Sequence, residues 1–200
     1  IIGAGAWGTA LATVAHSAGC EVLIQAHEPE VVEAINTSQE NTMFLPGVKL
    51  DSAIRATNDA AEVAQADAVL LVTPAQHLRA VTVALKGSWQ KGVPAVICSK
   101  GLEQETSALM SEVLAETLPG VTPAILSGPT FAIEVAKGLP TGVTIACADQ
   151  AIATLLCEAL GTSTFRAYSS PDIIGAELGG AVKNVLAIAC GIVEGKAFGE

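Results

Sequence analysis

Gly3-Ala4-Gly5-Ala6-Trp7-Gly8 sets three glycines at GxGxxG spacing, directly between the end of an apolar run and the start of a helix-period segment. That context suits a turn beneath a dinucleotide pyrophosphate. Gly3 permits the tight turn, Gly5 lets the backbone approach the anion, and Gly8 lets the helix pack on the strand, while first-turn N–H groups face the phosphates. A plain glycine-rich surface turn is the alternative. His27 and Glu28 follow about twenty residues beyond the last glycine, where an adenosine ribose is read. An acidic side chain there suits the 2′-hydroxyl of NAD and a cation suits the 2′-phosphate of NADP, so this pair leaves the choice between the two cofactors open. Each is otherwise an exposed polar residue at a helix start.

Lys183 interrupts the apolar stretch 179–193. An unpaired ammonium in such surroundings costs several kcal/mol in effective terms, which argues for a purpose over a lysine that merely snorkels at a helix edge. Lys100 falls just beyond the C-terminal end of an expected strand, where open α/β sheets bind their ligands. Ser127-Gly128-Pro129-Thr130 follows another strand and opens a helix, so its N–H groups and the Thr130 hydroxyl can meet a polar ligand or simply cap the turn. His16 and His77 have no second ligand at suitable spacing, and no metal is expected.

The elements that position these residues alternate. Strands are expected to end at Ile2 and to cover 21–25, 68–73, 94–99, 124–127, 141–146 and 164–168, with a short one at 54–57. Helices are expected over 7–18, 29–36, 60–65, 76–86, 107–117, 131–137 and 150–160, with Pro29 at a first helical position and Asn58 or Asp59 as a cap. From Pro171 the texture changes to one long Ala- and Gly-rich helix, 172–193, with Asp172 as its N-cap and Gly175, Gly179 and Gly180 at helical spacing. The pattern predicts an α/β fold, a Rossmann-type, mostly parallel sheet with helices on both faces, over 1–171, and the start of an all-helical second domain over 172–200.

Bulk properties agree. Half of the 200 residues are hydrophobic and 15% are charged, as befits strands buried on both faces. A formal net charge of -10 argues against nucleic acid as a partner. Five scattered cysteines without a CxxC pair read as buried thiols of a cytoplasmic protein. No uncharged apolar run reaches spanning length, so membrane insertion is not expected. The chain reads as incomplete at both ends: Ile1 and Ile2 are already the end of a strand, and the second domain has barely begun.

Further segments narrow the reading: Phe44-Leu45-Pro46-Gly47, Val72-Thr73-Pro74 with Arg79, Ser99-Lys100-Gly101-Leu102-Glu103, Ser127-Gly128-Pro129-Thr130-Phe131-Ala132, and Gly179-Gly180-Ala181-Val182-Lys183-Asn184-Val185. With Gly3 to Thr9, this ordered set resembles the bacterial NAD(P)-dependent glycerol-3-phosphate dehydrogenases along the whole chain. The resemblance implies reduction of dihydroxyacetone phosphate to sn-glycerol 3-phosphate for glycerophospholipid synthesis, with NAD or NADP as cofactor, and it leaves room for a homodimer. It implies Lys183 as the general acid/base, Lys100 touching cofactor and substrate, Gly128 and Thr130 touching substrate, and Ala6, Trp7, His27, Phe44 and Ala132 lining the cofactor.

That family frequently carries Arg, or in some members His, where His27 stands, and commonly Tyr where Phe44 stands. Its later Gly-Asp-Leu segment and Arg-Asn pair have no counterpart before Glu200, so the chain as given is not expected to be fully competent. Hydride delivery to a ketone builds negative charge on the carbonyl oxygen and calls for a cation that can also give up a proton. If Lys100 and Lys183 converge, each disfavours the other's charge and moves a lysine toward the range of a useful proton donor. Two other readings remain: a dehydrogenase of the same architecture acting on a hydroxy acid such as 6-phosphogluconate, and a non-catalytic module that senses NAD.

Overall fold

Short, fully apolar segments such as Val69–Leu71 and Ala95–Ile97 have no polar face to offer water, and they become strands only because helices cover the sheet on both sides. The structure, a computed structural model, describes residues 1–196. The last four positions of the expected second domain, 197–200, lie outside the described residues. Among the described residues the strands are β1 (Leu23–Gln25), β2 (Arg55–Thr57), β3 (Val69–Leu71), β4 (Ala95–Ile97), β5 (Pro123–Ser127), β6 (Thr141–Ala146) and β7 (Phe165–Ser170). Ile2 bridges Gln25 on one side and Leu71 on the other, both in parallel, and so joins the β1–β2 pair to the five-stranded run β3-β4-β5-β6-β7. Strand order reverses at Ile2, which makes its C-terminal end the topological switch point where ligands of such sheets bind. Among the paired strands only β5 and β6 run antiparallel.

The helices are α1 (Ala6–Ser17), α2 (Pro29–Ser38), α3 (Ala60–Val63), α4 (Leu78–Leu85), α5 (Met110–Thr117), α6 (Ala132–Ala136), α7 (Gln150–Leu160) and α8 (Ile173–Gly195). Two cores result from the strand pleat. Leu70 and Val96 point to a core shared with α1, α2, α6 and α7, whereas Val69, Leu71, Ala95 and Ile97 point to one shared with α3, α4, α5 and the first turn of α8. Asp59, Asp149 and Asp172 accept first-turn N–H groups and start α3, α7 and α8, and Pro29 opens α2.

Two expected helices differ. The segment 76–86 begins as a 3-10 turn, Ala75–His77, before α4 proper. The segment 107–117 becomes helical only at Met110, because Leu102 bridges Leu109 and Ser107 takes a left-handed φ of 59° to close that loop. Within α8, Val185, Leu186 and Ile188 are 63 to 65% exposed. By length and mean hydropathy, 1.5, this helix is long and apolar enough to cross a membrane even though Glu177 and Lys183 lie in it.

Candidate active site

Gly3 turns away from the Ile2 strand with φ 105°, a conformation L side chains rarely adopt, and a Cβ there would meet the Val72 carbonyl oxygen at 2.9 Å. A Cβ on Gly8 would collide with the Gly3 carbonyl oxygen, so α1 reaches the turn only because that position is glycine. Gly5, the N-cap of α1, is different: a Cβ on it would have nothing within 4 Å. Its open side faces the crevice where the strand order reverses, in front of first-turn N–H groups that carry the positive end of the helix dipole. Trp7 Nε1, in the first turn of α1, and Thr73 Oγ1, whose backbone N lies against Gly3, are buried without a hydrogen-bond partner among the described residues. An anion cradle that only a side chain would obstruct, flanked by orphaned polar atoms, fits a dinucleotide.

Asn41 ties the rim of this cradle together. Fully buried, it donates to the Ala4 carbonyl at 2.7 Å and to Thr9 Oγ1 at 2.8 Å, and accepts from the Phe44 N–H at 3.1 Å, which fixes half-exposed Phe44 beside the glycine turn. His27 is exposed just past the end of β1, and Glu28 is the half-buried N-cap of α2. Asn58 donates to the Ala26 carbonyl and holds that corner. Ala6 starts α1 and Ala132 starts α6, and both pack against the core on that face of the sheet.

Lys100, just beyond β4, is exposed as a residue, yet its ammonium turns inward. It donates to the Gly128 carbonyl at 3.1 Å and lies 6.0 Å from the centre of the Trp7 ring. The same Gly128 lines a cleft of about 360 Å³ together with Ser127, Asp172, Gly179, Gly180 and Lys183. Helix α8 lies against β5 there because a Cβ on Gly180 would sit 2.9 Å from Ser127 Oγ and 3.7 Å from Lys100 Cγ. Half-buried Lys183 thus enters the site from a different element than Lys100. Burial first, and the Lys183 charge second, pull the Lys100 ammonium below its ordinary range, while nearby Cys98 opposes. Thr130 is half-buried two residues beyond Gly128 and outside the lining of this cleft.

Residues 1–153 match the family model described as NAD-dependent glycerol-3-phosphate dehydrogenase N-terminus, and residues 172–200 match its C-terminus counterpart. The chain belongs to the NAD-dependent glycerol-3-phosphate dehydrogenase family. Among curated relatives, the glycerol-3-phosphate dehydrogenase (NAD(P)+) of Parvibaculum lavamentivorans is 60% identical over 200 residues, all of this chain and 60% of the relative. That of Paramagnetospirillum magneticum is also 60% identical, over all of this chain and 73% of the relative. The solved glycerol-3-phosphate dehydrogenase of Coxiella burnetii superposes with a TM-score of 0.91 at 35% identity, covering 100% of this chain and 61% of that one. The chain therefore spans about three-fifths of the length of several dehydrogenases it matches.

In this glycerol-3-phosphate dehydrogenase family member, three structural anchors have partners that sequence reasoning did not reveal. Asn41 is one. Glu177, only 7% exposed on α8, accepts from the Ser111 N–H at 2.8 Å and its hydroxyl at 2.6 Å, sixty-six residues away. Arg79 grips Glu103 through Nε and Nη2 at 2.8 and 2.9 Å and Glu116 at 2.7 Å, pinning the loop that carries Lys100. Arg79 and Glu103 were visible as motif residues, but nothing local says that they pair.

Proposed function

We propose that the full protein reduces dihydroxyacetone phosphate to sn-glycerol 3-phosphate with NAD(P)H, in the cytoplasm, supplying glycerophospholipid synthesis. The observation that carries this reading is the convergence of Lys183, from α8, with Gly128 and the tip of Lys100 at one cleft beside the glycine turn. A bound nicotinamide supplies the hydride. Gly3, Gly5, Ala6, Trp7 and Gly8 would hold the dinucleotide phosphates on the α1 N-terminus, and His27, Glu28, Phe44 and Ala132 would line the rest of the cofactor. Lys183 gives its proton to the ketone oxygen as charge grows there and recovers one from water. Lys100, oriented by the Gly128 carbonyl, adds a second positive charge at the oxygen and at the cofactor; Thr130, outside the cleft lining here, would reach the substrate only if the turn after Gly128 shifts toward it.

The division at 171/172 belongs to this reading. The apolar face of α8 is then the surface on which the remainder of the second domain packs. The family membership favours dihydroxyacetone phosphate over a hydroxy acid such as 6-phosphogluconate. Assays of the full-length enzyme with dihydroxyacetone phosphate and with 6-phosphogluconate test it: activity is expected with the first alone, and Lys183→Ala is expected to abolish turnover. Activity on the second substrate, near-normal turnover of Lys183→Ala, or dinucleotide binding with no reductase activity overturns the assignment.

A further inference from the structure

Helix α8 brings Lys183 to the cleft, yet most of what holds its first turns is non-directional. Ile173 and Ala176 pack into an apolar core, and such contacts tolerate a small rotation or slide of the helix. Gly180 only permits close approach. Glu177 is different. Its carboxylate sits on the N-terminal turn of α5, receiving the Ser111 N–H and hydroxyl, so it serves as the first-turn cap that the α5 sequence, Leu109 at the N-cap, does not itself provide for those groups. Two hydrogen bonds from one residue to both oxygens of one carboxylate fix the rotation of α8 as well as its height.

We infer that Glu177 is a positioning residue for Lys183: anchored on Ser111, it sets the rotation of α8 at which the lysine ammonium meets the cleft. Lys183 follows six residues later, about 9 Å along the axis and less than two turns on. A helix rotates roughly 100° per residue, so even a fraction of one residue's slip carries the end of a long side chain by more than about 1 Å, enough to cost on the order of a hundredfold in turnover. The cofactor cradle lies on α1 and does not depend on this tether.

This inference rests on Lys183 as proton donor, and the experiment separates the two. In the full-length enzyme, Glu177→Ala is expected to lower kcat on the order of a hundredfold while the KM for the dinucleotide stays within about twofold. Glu177→Gln, which keeps a carbonyl acceptor for the Ser111 N–H, restores most of that loss, and Ser111→Ala loses part of it. Thr117→Val, which breaks the buried Thr117–Thr82 hydrogen bond on the far part of α5, controls for loss of stability alone. It is expected to lower the melting temperature without lowering kcat at temperatures well below the melt. If Lys183→Ala is inactive but Glu177→Ala keeps normal kcat, or if Thr117→Val loses kcat in proportion to its lost stability as Glu177→Ala does, the positioning role is refuted while the reaction stands. If Lys183→Ala is active, the reaction assignment fails first.

Discussion

Gly5 and Gly8 belong to one motif, but replacing them should damage the protein in different ways. Gly5 has an extended N-cap backbone, φ -65° and ψ -179°, that alanine adopts freely, and a Cβ there touches nothing within 4 Å. Reducing unfolded-state freedom favours Gly5→Ala by roughly 0.4–1 kcal/mol, while alanine's poorer capping costs a comparable amount, so the net is about zero and the melting temperature should move by less than about 3 °C. The same methyl group stands where the pyrophosphate must approach the α1 N-terminus. Losing roughly two charge-assisted hydrogen bonds of about 1.5 kcal/mol each weakens dinucleotide binding by about 3 kcal/mol, a factor of about 150 in Kd.

Gly8→Ala reverses the pattern. Its Cβ collides with the Gly3 backbone carbonyl, which cannot rotate aside as a side chain can. Overpacking of this kind costs about 3 kcal/mol, or about 6–12 °C for a domain of this size. Calorimetric titration with NAD and NADP, beside thermal melts of the full-length variants, measures both quantities. Normal binding by Gly5→Ala, or a melting loss equal to that of Gly8→Ala, would refute this division of labour between the two glycines.

Removing the Lys183 charge with Lys183→Met should raise the titration midpoint of Lys100, since burial would remain while the second cause of its depression disappears; carbon NMR of labelled lysine side chains reads this directly. The sign for stability follows: a lysine whose folded value is lowered penalises the protonated fold, and that penalty lifts as pH rises from the lowered value to the ordinary one. Glu103 behaves oppositely. Its carboxyl is held down from 4.5 to about 2, first by the Arg79 hydrogen bonds and then by Thr106. Its stabilisation is present above the ordinary value and lost as pH falls toward about 2, so Arg79→Leu should flatten the acid limb of a stability-versus-pH curve. Asn41→Leu strands the Phe44 N–H and Ala4 carbonyl, and should cost about 2–3 kcal/mol in a denaturant melt and weaken dinucleotide binding as well.

The sequence by itself determined whatever depends on neighbours in the chain. Alternating apolar runs and helical periods, three glycines at fixed spacing, an Asp172 cap and a lysine within an apolar stretch are all local signals, because backbone sterics, capping and amphipathic burial act over a few residues. The family resemblance was legible for the same reason, as short motifs in order. Tertiary structure alone decided where those pieces meet. Ile2 became the seam of the sheet because β1 and β3 both pair with it, β6 reversed direction, and Ser107 left its expected helix to close a loop against Leu102. Glu177 found Ser111 across sixty-six residues, Arg79 found Glu103, and Gly180 let Lys183 approach Lys100. Such pairings depend on which faces two elements turn to each other once their apolar sides are buried, and no window along the chain contains both partners.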